Sequence, residues 1–345
     1  MKAAVFQGKE KIVIQERSVP ELRDDEVLIR VAACGVCGTD VHIYRGEKGS
    51  AQVNPPVVLG HEFAGTVAAV GKAVKAWKIG DKVAVDPNIY CGKCEMCHSG
   101  KKNLCESLSA VGVTRDGGFA EYCAVPEAQC YRLNDDIELV QGAMAEPLSC
   151  CLHGMEMAEV RPGDHVCIIG GGAIGLIMLQ LARLAGAATV SVSEPVEMRR
   201  NVAVKLGADY VFDPLEEAPG EACRQKLGRG ADVVIECAGV KAAVKQVFEI
   251  AGKGARIVFF SVPAPDAKME LPLFELYQKE WRICGSFINP DTFAAAVNLI
   301  NHHKVSFGQI ITHTFGVREL EQAILMQAGR DSLKVVVEYE KSALK

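Results

Sequence analysis

The chain of 345 residues has no apolar run approaching the roughly 20 residues that a membrane-spanning helix needs. Its longest candidate, VCIIGGGAIGLIMLQLA, is broken by four glycines in six residues and reads as a strand, a turn and a helix. The opening segment, MKAAVFQGKEKIVI, carries no apolar core of signal-peptide length and reads as a strand, so a cytoplasmic protein is expected. The formal net charge is only −5, and no block of like charges occurs. A nucleic-acid-binding chain would carry a basic stripe, and none is visible. Internal repeats and low-complexity tracts are also missing. What remains is 49% hydrophobic and 23% charged, the balance of a globular protein long enough for more than one domain.

Cysteine, by contrast, is abundant, with fourteen residues. Without a secretory signal, so many argue for metal ligands and reduced thiols rather than a disulfide framework. Cys91, Cys94, Cys97 and Cys105 form C-x2-C-x2-C-x7-C. Four thiolates in one loop can close a tetrahedral shell around zinc and leave no position open. Their neighbours Gly92, Lys93, Glu95, Gly100, Lys101 and Lys102 do not belong to a core, and His98 is expected at the surface. This site ties down a loop and performs no chemistry.

Residues 1–150 are rich in short β-branched runs between Gly, Pro and Asp, such as Val27–Val31 and Lys82–Val85, and predict an irregular β domain. From residue 151 the pattern changes. Six apolar runs (Val166–Ile169, Thr189–Ser193, Tyr210–Phe212, Asp232–Glu236, Arg256–Ser261 and Trp281–Phe287) alternate with helical stretches such as Ile174–Leu184 and Pro195–Leu206. Strict alternation predicts an α/β domain over 151–289, a doubly wound parallel sheet. Residues 290–345, with a helix over Asp291–Asn301 and a strand over Lys334–Tyr339, are expected to return to the first domain.

Gly170, Gly172 and Gly175 form G-x-G-x-x-G directly after the run Val166–Ile169 and open a helix, the context of a dinucleotide site. The first glycine permits the tight turn, the second lets backbone approach a pyrophosphate, and the third lets helix and sheet pack closely. The helix N-terminus then offers N–H groups to the phosphates. Glu194, at the end of the second run, is placed to accept the adenosine ribose hydroxyls and to repel a 2′-phosphate, which favours NAD. Arg199 and Arg200 pull toward NADP, and Glu194 outweighs them. Ile174, Val262 and Phe287 are further candidate cofactor contacts.

A working zinc needs an open position, and Cys37, His61, Glu62 and Glu146 are the candidate ligands. Their spacings are not diagnostic individually. Cys34 and Cys37 could be a redox pair, but a glycine-rich loop in a β domain is the wrong context for one. In order along the chain stand Cys37-Gly38-Thr39-Asp40, Gly60-His61-Glu62-x2-Gly65-x5-Gly71, the four-cysteine lobe and Gly170–Gly175. Together they resemble the zinc-containing medium-chain dehydrogenases, over essentially the whole chain. The resemblance implies a GroES-like catalytic domain over 1–150 and 290–345, a Rossmann domain over 151–289 and a cleft between them. It implies two zinc ions per chain, one catalytic and one structural, and an oxidoreductase that moves hydride from an alcohol carbon to a nicotinamide. Cys37 and His61 would hold the catalytic zinc, with Glu62 and Glu146 either bound directly or holding its water. Asp40 would orient His61 through its other ring nitrogen. Thr39 resembles the hydroxyl relay residue of the family, and His42 the imidazole that passes the proton to solvent.

Ala145-Glu146-Pro147-Leu148-Ser149 resembles the polyol dehydrogenase branch, which points to a secondary alcohol of a polyol or diol. Cys150 and Cys151 keep open the cysteine ligand of liver-type alcohol dehydrogenases. Sorbitol dehydrogenases carry an Arg-Tyr pair where this chain has Ile288 and Asn289, which puts sorbitol itself in doubt. Tyr44 is a possible contact to a substrate hydroxyl. Threonine 3-dehydrogenase-like and butanediol dehydrogenase activities are the alternatives, and a non-catalytic nucleotide-binding redox sensor or structural protein is the competing class. Phosphorylated sugars would need more basic residues in the cleft; Arg45 and Lys48 are read instead as a solvated loop. The partner is a small-molecule alcohol, not nucleic acid or membrane. By analogy with relatives, the strand Arg282–Phe287 pairs across a two-fold axis in a homo-oligomer.

Overall fold

The computed structural model describes residues 1–339 apart from Lys48, Ser50 and Pro265. The chain divides into two compact units, one made of Met1–Ser149 and the segment from Asn289 onward, the other of Cys150–Ile288.

The first unit is built on a seven-stranded sheet. Its long central strand, Glu26–Val36, pairs antiparallel with Glu62–Val70, Tyr122–Pro126 and Lys334–Glu338. Most residues of the strands Glu26–Val36 and Glu62–Val70 are buried on both faces, and a period-two alternation with half-buried residues appears only at Arg30 to Ala32 and Thr66 to Ala68. Lys334–Glu338 thus carries the end of the chain into the middle of the first unit's sheet. The unit is less purely β than its composition suggests. It also contains the helices Gly38–Tyr44, Phe293–Asn301 and Leu320–Gln327, and the helix Ala145–Ala158 begins in it. The first of these opens with Gly-Thr-Asp, and Asp40 in its first turn accepts the Cys37 N–H at 2.9 Å, a side-chain bond that caps the helix start.

The second unit is a six-stranded, wholly parallel sheet in the order Tyr210–Phe212, Thr189–Ser193, His165–Ile169, Ala231–Glu236, Ala251–Phe259 and Arg282–Gly285. The order reverses beside His165–Ile169, the switch point at which doubly wound sheets bind ligands. The six predicted runs are its six strands; Thr189–Ser193 and Tyr210–Phe212 match at both ends, and the other four differ at one or both. The last strand stops at Gly285 rather than Phe287. Beyond it, Ile288 adopts φ +48 and Asp291 φ +58, left-handed backbone that ends strand geometry. The predicted helix from Asp291 accordingly starts two residues later, at Phe293. Among the described residues no helix is long and apolar enough to cross a membrane.

Candidate metal centres and dinucleotide loop

The four-cysteine lobe is a loop wound around the short helix Glu95–His98 and the single turn Lys102–Leu104. It brings the four sulfurs within 4.8 Å of one another. Cys91 and Cys97 lie 4.0 Å apart, as do Cys94 and Cys105. Around one zinc with Zn–S bonds of about 2.3 Å, tetrahedral sulfurs would be about 3.8 Å apart, so the donor set fits that ion. Backbone N–H groups of Cys97 and Glu106 pull the Cys94 thiol down to about 6, whereas desolvation and the neighbouring thiols push Cys97 up to about 12. Four sulfurs that compete for protons in this way gain from a shared dication. His98 is exposed.

A second cluster lies against the central strand of the first unit. Donor atoms of Cys37, His61 and Glu62 fall within 4.8 Å of one another. Cys37 precedes the helix Gly38–Tyr44, and Glu62 opens the strand Glu62–Val70 with His61 just before it. Glu62 pairs in register with Gly35 on the neighbouring strand. A Cβ at Gly35 would sit 2.1 Å from the Glu62 carboxylate, so glycine is required for that carboxylate to lie flat against the sheet. Asp40 is fully buried, and its Oδ1 stands 3.7 Å from His61 Nδ1. These two atoms have no closer partner among the described residues. The geometry leaves Nε2 of His61 as the ring's donor, the arrangement that metal-bound histidines adopt. Burial alone would lower the pKa of His61, but Asp40 first, then Cys37 and Glu146, raise it well above its ordinary value. A soft thiolate, an imidazole and a carboxylate in one pocket match zinc.

Lys334 is the residue that sequence reasoning missed. It is buried at the start of the strand Lys334–Glu338 and ion-pairs with Glu62. Burial disfavours its charge, and Glu62 and then Cys37 more than offset this, so its pKa is raised. Nothing local marks Lys334 in the sequence, because its partner lies 272 positions away (334 − 62) and only the sheet joins them.

Glu146, buried in the first turn of the helix Ala145–Ala158, falls outside the 4.8 Å group, but its charge reaches both His61 and Lys334. Thr39 and His42 lie half-buried on the helix Gly38–Tyr44, and His42 Nδ1 contacts the Glu47 carboxylate. Tyr44 does not present a free hydroxyl: it is buried and its OH is bonded to Glu321, which corrects its reading as a substrate contact. Arg45 is exposed, and Lys48 lies outside the described residues. Asn289 is an interior residue. It is fully buried within a polar network of Asp86, Asn88 and Ser149.

Within that network burial pushes the Asp86 carboxyl up to about 7, opposed by the Asn88 N–H and the Asn289 amide and reinforced by Asp291. Between its ordinary 3.8 and about 7, Asp86 therefore holds more proton folded than unfolded. Its contribution to stability falls as pH rises through that window, by about 1.4 kcal/mol per unit. Asp86→Asn is expected to remove this slope, so the variant gains on the parent protein in melting temperature from about pH 5 to about pH 8. An unchanged difference between the two melting curves would refute it.

In the second unit Gly170 has φ +101, and a Cβ at Gly175 would sit 1.9 Å from the Gly170 carbonyl oxygen. The glycines thus permit the turn and the tight seating of the helix Ala173–Leu184, capped by Gly172. Glu194 is buried; its carboxylate accepts the Gly171 N–H at 2.7 Å and the Val196 N–H at 2.9 Å. Arg200 donates to the Glu194 carbonyl at 2.7 Å and pairs with Asp213 at 2.8 Å. Ile174 is half-buried at the start of the glycine helix, and Val262 and Phe287 are exposed.

Comparison with known proteins agrees with this geometry. Residues 23–135 match the alcohol dehydrogenase GroES-like domain, and residues 173–302 match the zinc-binding dehydrogenase family. The chain is 36% identical over 342 residues to D-xylulose reductase A of Aspergillus oryzae, covering 96% of this chain and 95% of that protein. It is 32% identical over 344 residues to sorbitol dehydrogenase of Bacillus subtilis, covering 98% and 97%. A zinc-binding dehydrogenase structure from Sinorhizobium meliloti 1021, bound to NADP, superposes with a TM-score of 0.94 at 39% identity, covering 98% of this chain and 99% of that one. With a GroES-like unit, a dinucleotide-type parallel sheet and relatives matched along their whole length, the chain belongs to the zinc-containing medium-chain dehydrogenases, oxidoreductases that act on CH–OH groups with zinc and a nicotinamide cofactor.

Proposed function

We propose that the protein oxidises a secondary alcohol of a small polyol or diol to the ketone, with hydride transfer to NAD. The observation that carries this reading is the convergence of half-buried Cys37 with buried His61 and Glu62. The polyol assignment is supported by the xylulose reductase and sorbitol dehydrogenase relatives and by Glu146. Cys37 and His61, with Glu62 and Glu146 as the carboxylates, would hold zinc, which would supply the Lewis acidity that lowers the pKa of an alcohol. The Asp40 carboxylate, 3.7 Å from His61 Nδ1, would orient that ring. Thr39 Oγ1 accepts the hydroxyl proton, and His42 passes it to solvent with Glu47 holding its Nδ1. The four-cysteine lobe would hold a second zinc, with no position open for chemistry.

The glycine turn seats the dinucleotide pyrophosphate, with Ile174, Arg199, Val262 and Phe287 as further contacts. Glu194 sets the preference for NAD: its buried carboxylate, fixed on the glycine loop, opposes a 2′-phosphate. Arg200 is already engaged by Asp213. Glu194→Ala is expected to narrow the NAD over NADP ratio of kcat/KM by at least about tenfold; an unchanged ratio would remove Glu194 from this role. The NADP-bound relative makes the comparison a demanding one.

The exposed edge strand Arg282–Gly285 and, next to it in sequence, the exposed Leu273, Phe274 and Tyr277 support a homodimer formed through this edge. Light scattering of the protein and of Tyr277→Glu checks it, with a dimer expected for the first and a monomer for the second. The activity itself is tested by NADH formation over a panel of diols and polyols, with and without chelator. Absence of turnover on every alcohol, with zinc and NAD bound, would sink the enzymatic reading.

A further inference from the structure

We propose that Asn289 is a positioning residue for Glu146, acting through Ser149 on the first turn of the helix Ala145–Ala158. The inference rests on the assignment of Glu146 to the catalytic metal centre. Three segments distant in sequence meet at Asn289, which is 0% exposed. Its Oδ1 accepts from Asn88 Nδ2 at 2.6 Å, and its Nδ2 donates to Ser149 Oγ at 2.7 Å and faces Asp86 Oδ1 at 3.4 Å. Ser149 Oγ in turn donates to the Glu146 carbonyl at 2.6 Å. Thr292 Oγ1 holds the Ser149 carbonyl from the other side, at 2.7 Å. Gln129 Nε2 fixes the far end of the network by donating to the carbonyls of Asp86 and Asn88.

The backbone around Asn289 is bent to make these bonds. Ile288 and Asp291 both sit at positive φ, although a β-branched residue avoids that region. Such strain persists only where the surroundings over-determine it. Here the surroundings are the bonds from Asn289 and Thr292 to Ser149. Glu146 is three residues upstream on the same turn, and its charge is felt at His61 and Lys334. A turn held on two sides delivers a carboxylate to a fixed place, as the partners of metal ligands do.

The test is zinc retention of the full chain during competition with a graded chelator, read together with kcat and KM. Asn289→Ala and Ser149→Ala are each expected to weaken the more labile of two zinc ions by about 10- to 100-fold, leaving the four-cysteine zinc unchanged. The double variant should be no weaker than either single one, because the two residues act in series. Thr292→Val, which removes one bond only, should show the same selective loss and serves if Asn289→Ala does not fold. Glu146→Gln is measured alongside. Loss of the labile zinc in Glu146→Gln, but not in Asn289→Ala, Ser149→Ala or Thr292→Val, overturns the positioning role alone. Full retention in Glu146→Gln overturns the metal assignment of Glu146 and the inference with it.

Discussion

Lys334→Met is expected to destabilise the protein by about 3–5 kcal/mol, the cost of leaving a buried carboxylate without its counter-charge. Glu62 is 1% exposed and Lys334 is its ion-pair partner. Methionine keeps the length and apolar stem of the lysine, so cavity formation contributes little. The double variant Glu62→Gln/Lys334→Met should recover most of the loss, since replacing both partners of a buried pair is often nearly neutral. Urea unfolding of the parent, both single variants and the double variant closes the cycle. Additive losses would mean that the pair does not act as a unit. The double variant also lacks the Glu62 carboxylate, so recovery of its fold without recovery of turnover would separate the structural from the catalytic part of that residue.

Cys37→Ser and His61→Ala should each remove one zinc per chain while leaving the four-cysteine zinc in place. Turnover should fall by at least about a thousandfold, or about 4 kcal/mol of transition-state stabilisation. Metal analysis and steady-state rates on the best alcohol of the panel give both numbers. Retention of two zinc ions, or turnover within tenfold of the parent, would show that the cluster of Cys37, His61 and Glu62 is not the working centre. Cys97→Ser gives the complementary result. It should cost folding rather than chemistry, because a closed four-sulfur site contributes its binding energy to the fold.

Much of this molecule was legible in the amino-acid order because the relevant signals are local. The four cysteines lie within fifteen residues, and the loop that joins them is short enough for any fold of it to gather the sulfurs. The alternation of apolar runs and helical stretches after residue 151 follows from the period of each element, and it produced all six strands of the parallel sheet, four of them with one or both ends displaced. The glycine turn reads as clearly, since positive φ at Gly170 and the contact at Gly175 exclude a side chain.

The readings that changed all concern side chains whose surroundings come from far away in the sequence. Tyr44 reads in the sequence as a candidate contact to a substrate hydroxyl, yet its OH is bonded to Glu321. Ile288 and Asn289 stand where sorbitol dehydrogenases carry an Arg-Tyr pair, and the structure adds that Asn88 and Ser149 enclose Asn289. By itself, then, the sequence determined the two fold types, the gathering of four cysteines in one loop and the glycine turn after the first parallel strand, all through short-range spacing and periodicity. Only the tertiary structure decided which charges face which. Sheet pairing brings residue 334 beside residue 62, and the return of the chain at 289 brings an amide to the helix of Glu146. Burial there removes water as an alternative partner, so each polar group's role depends on the neighbours that the fold supplies.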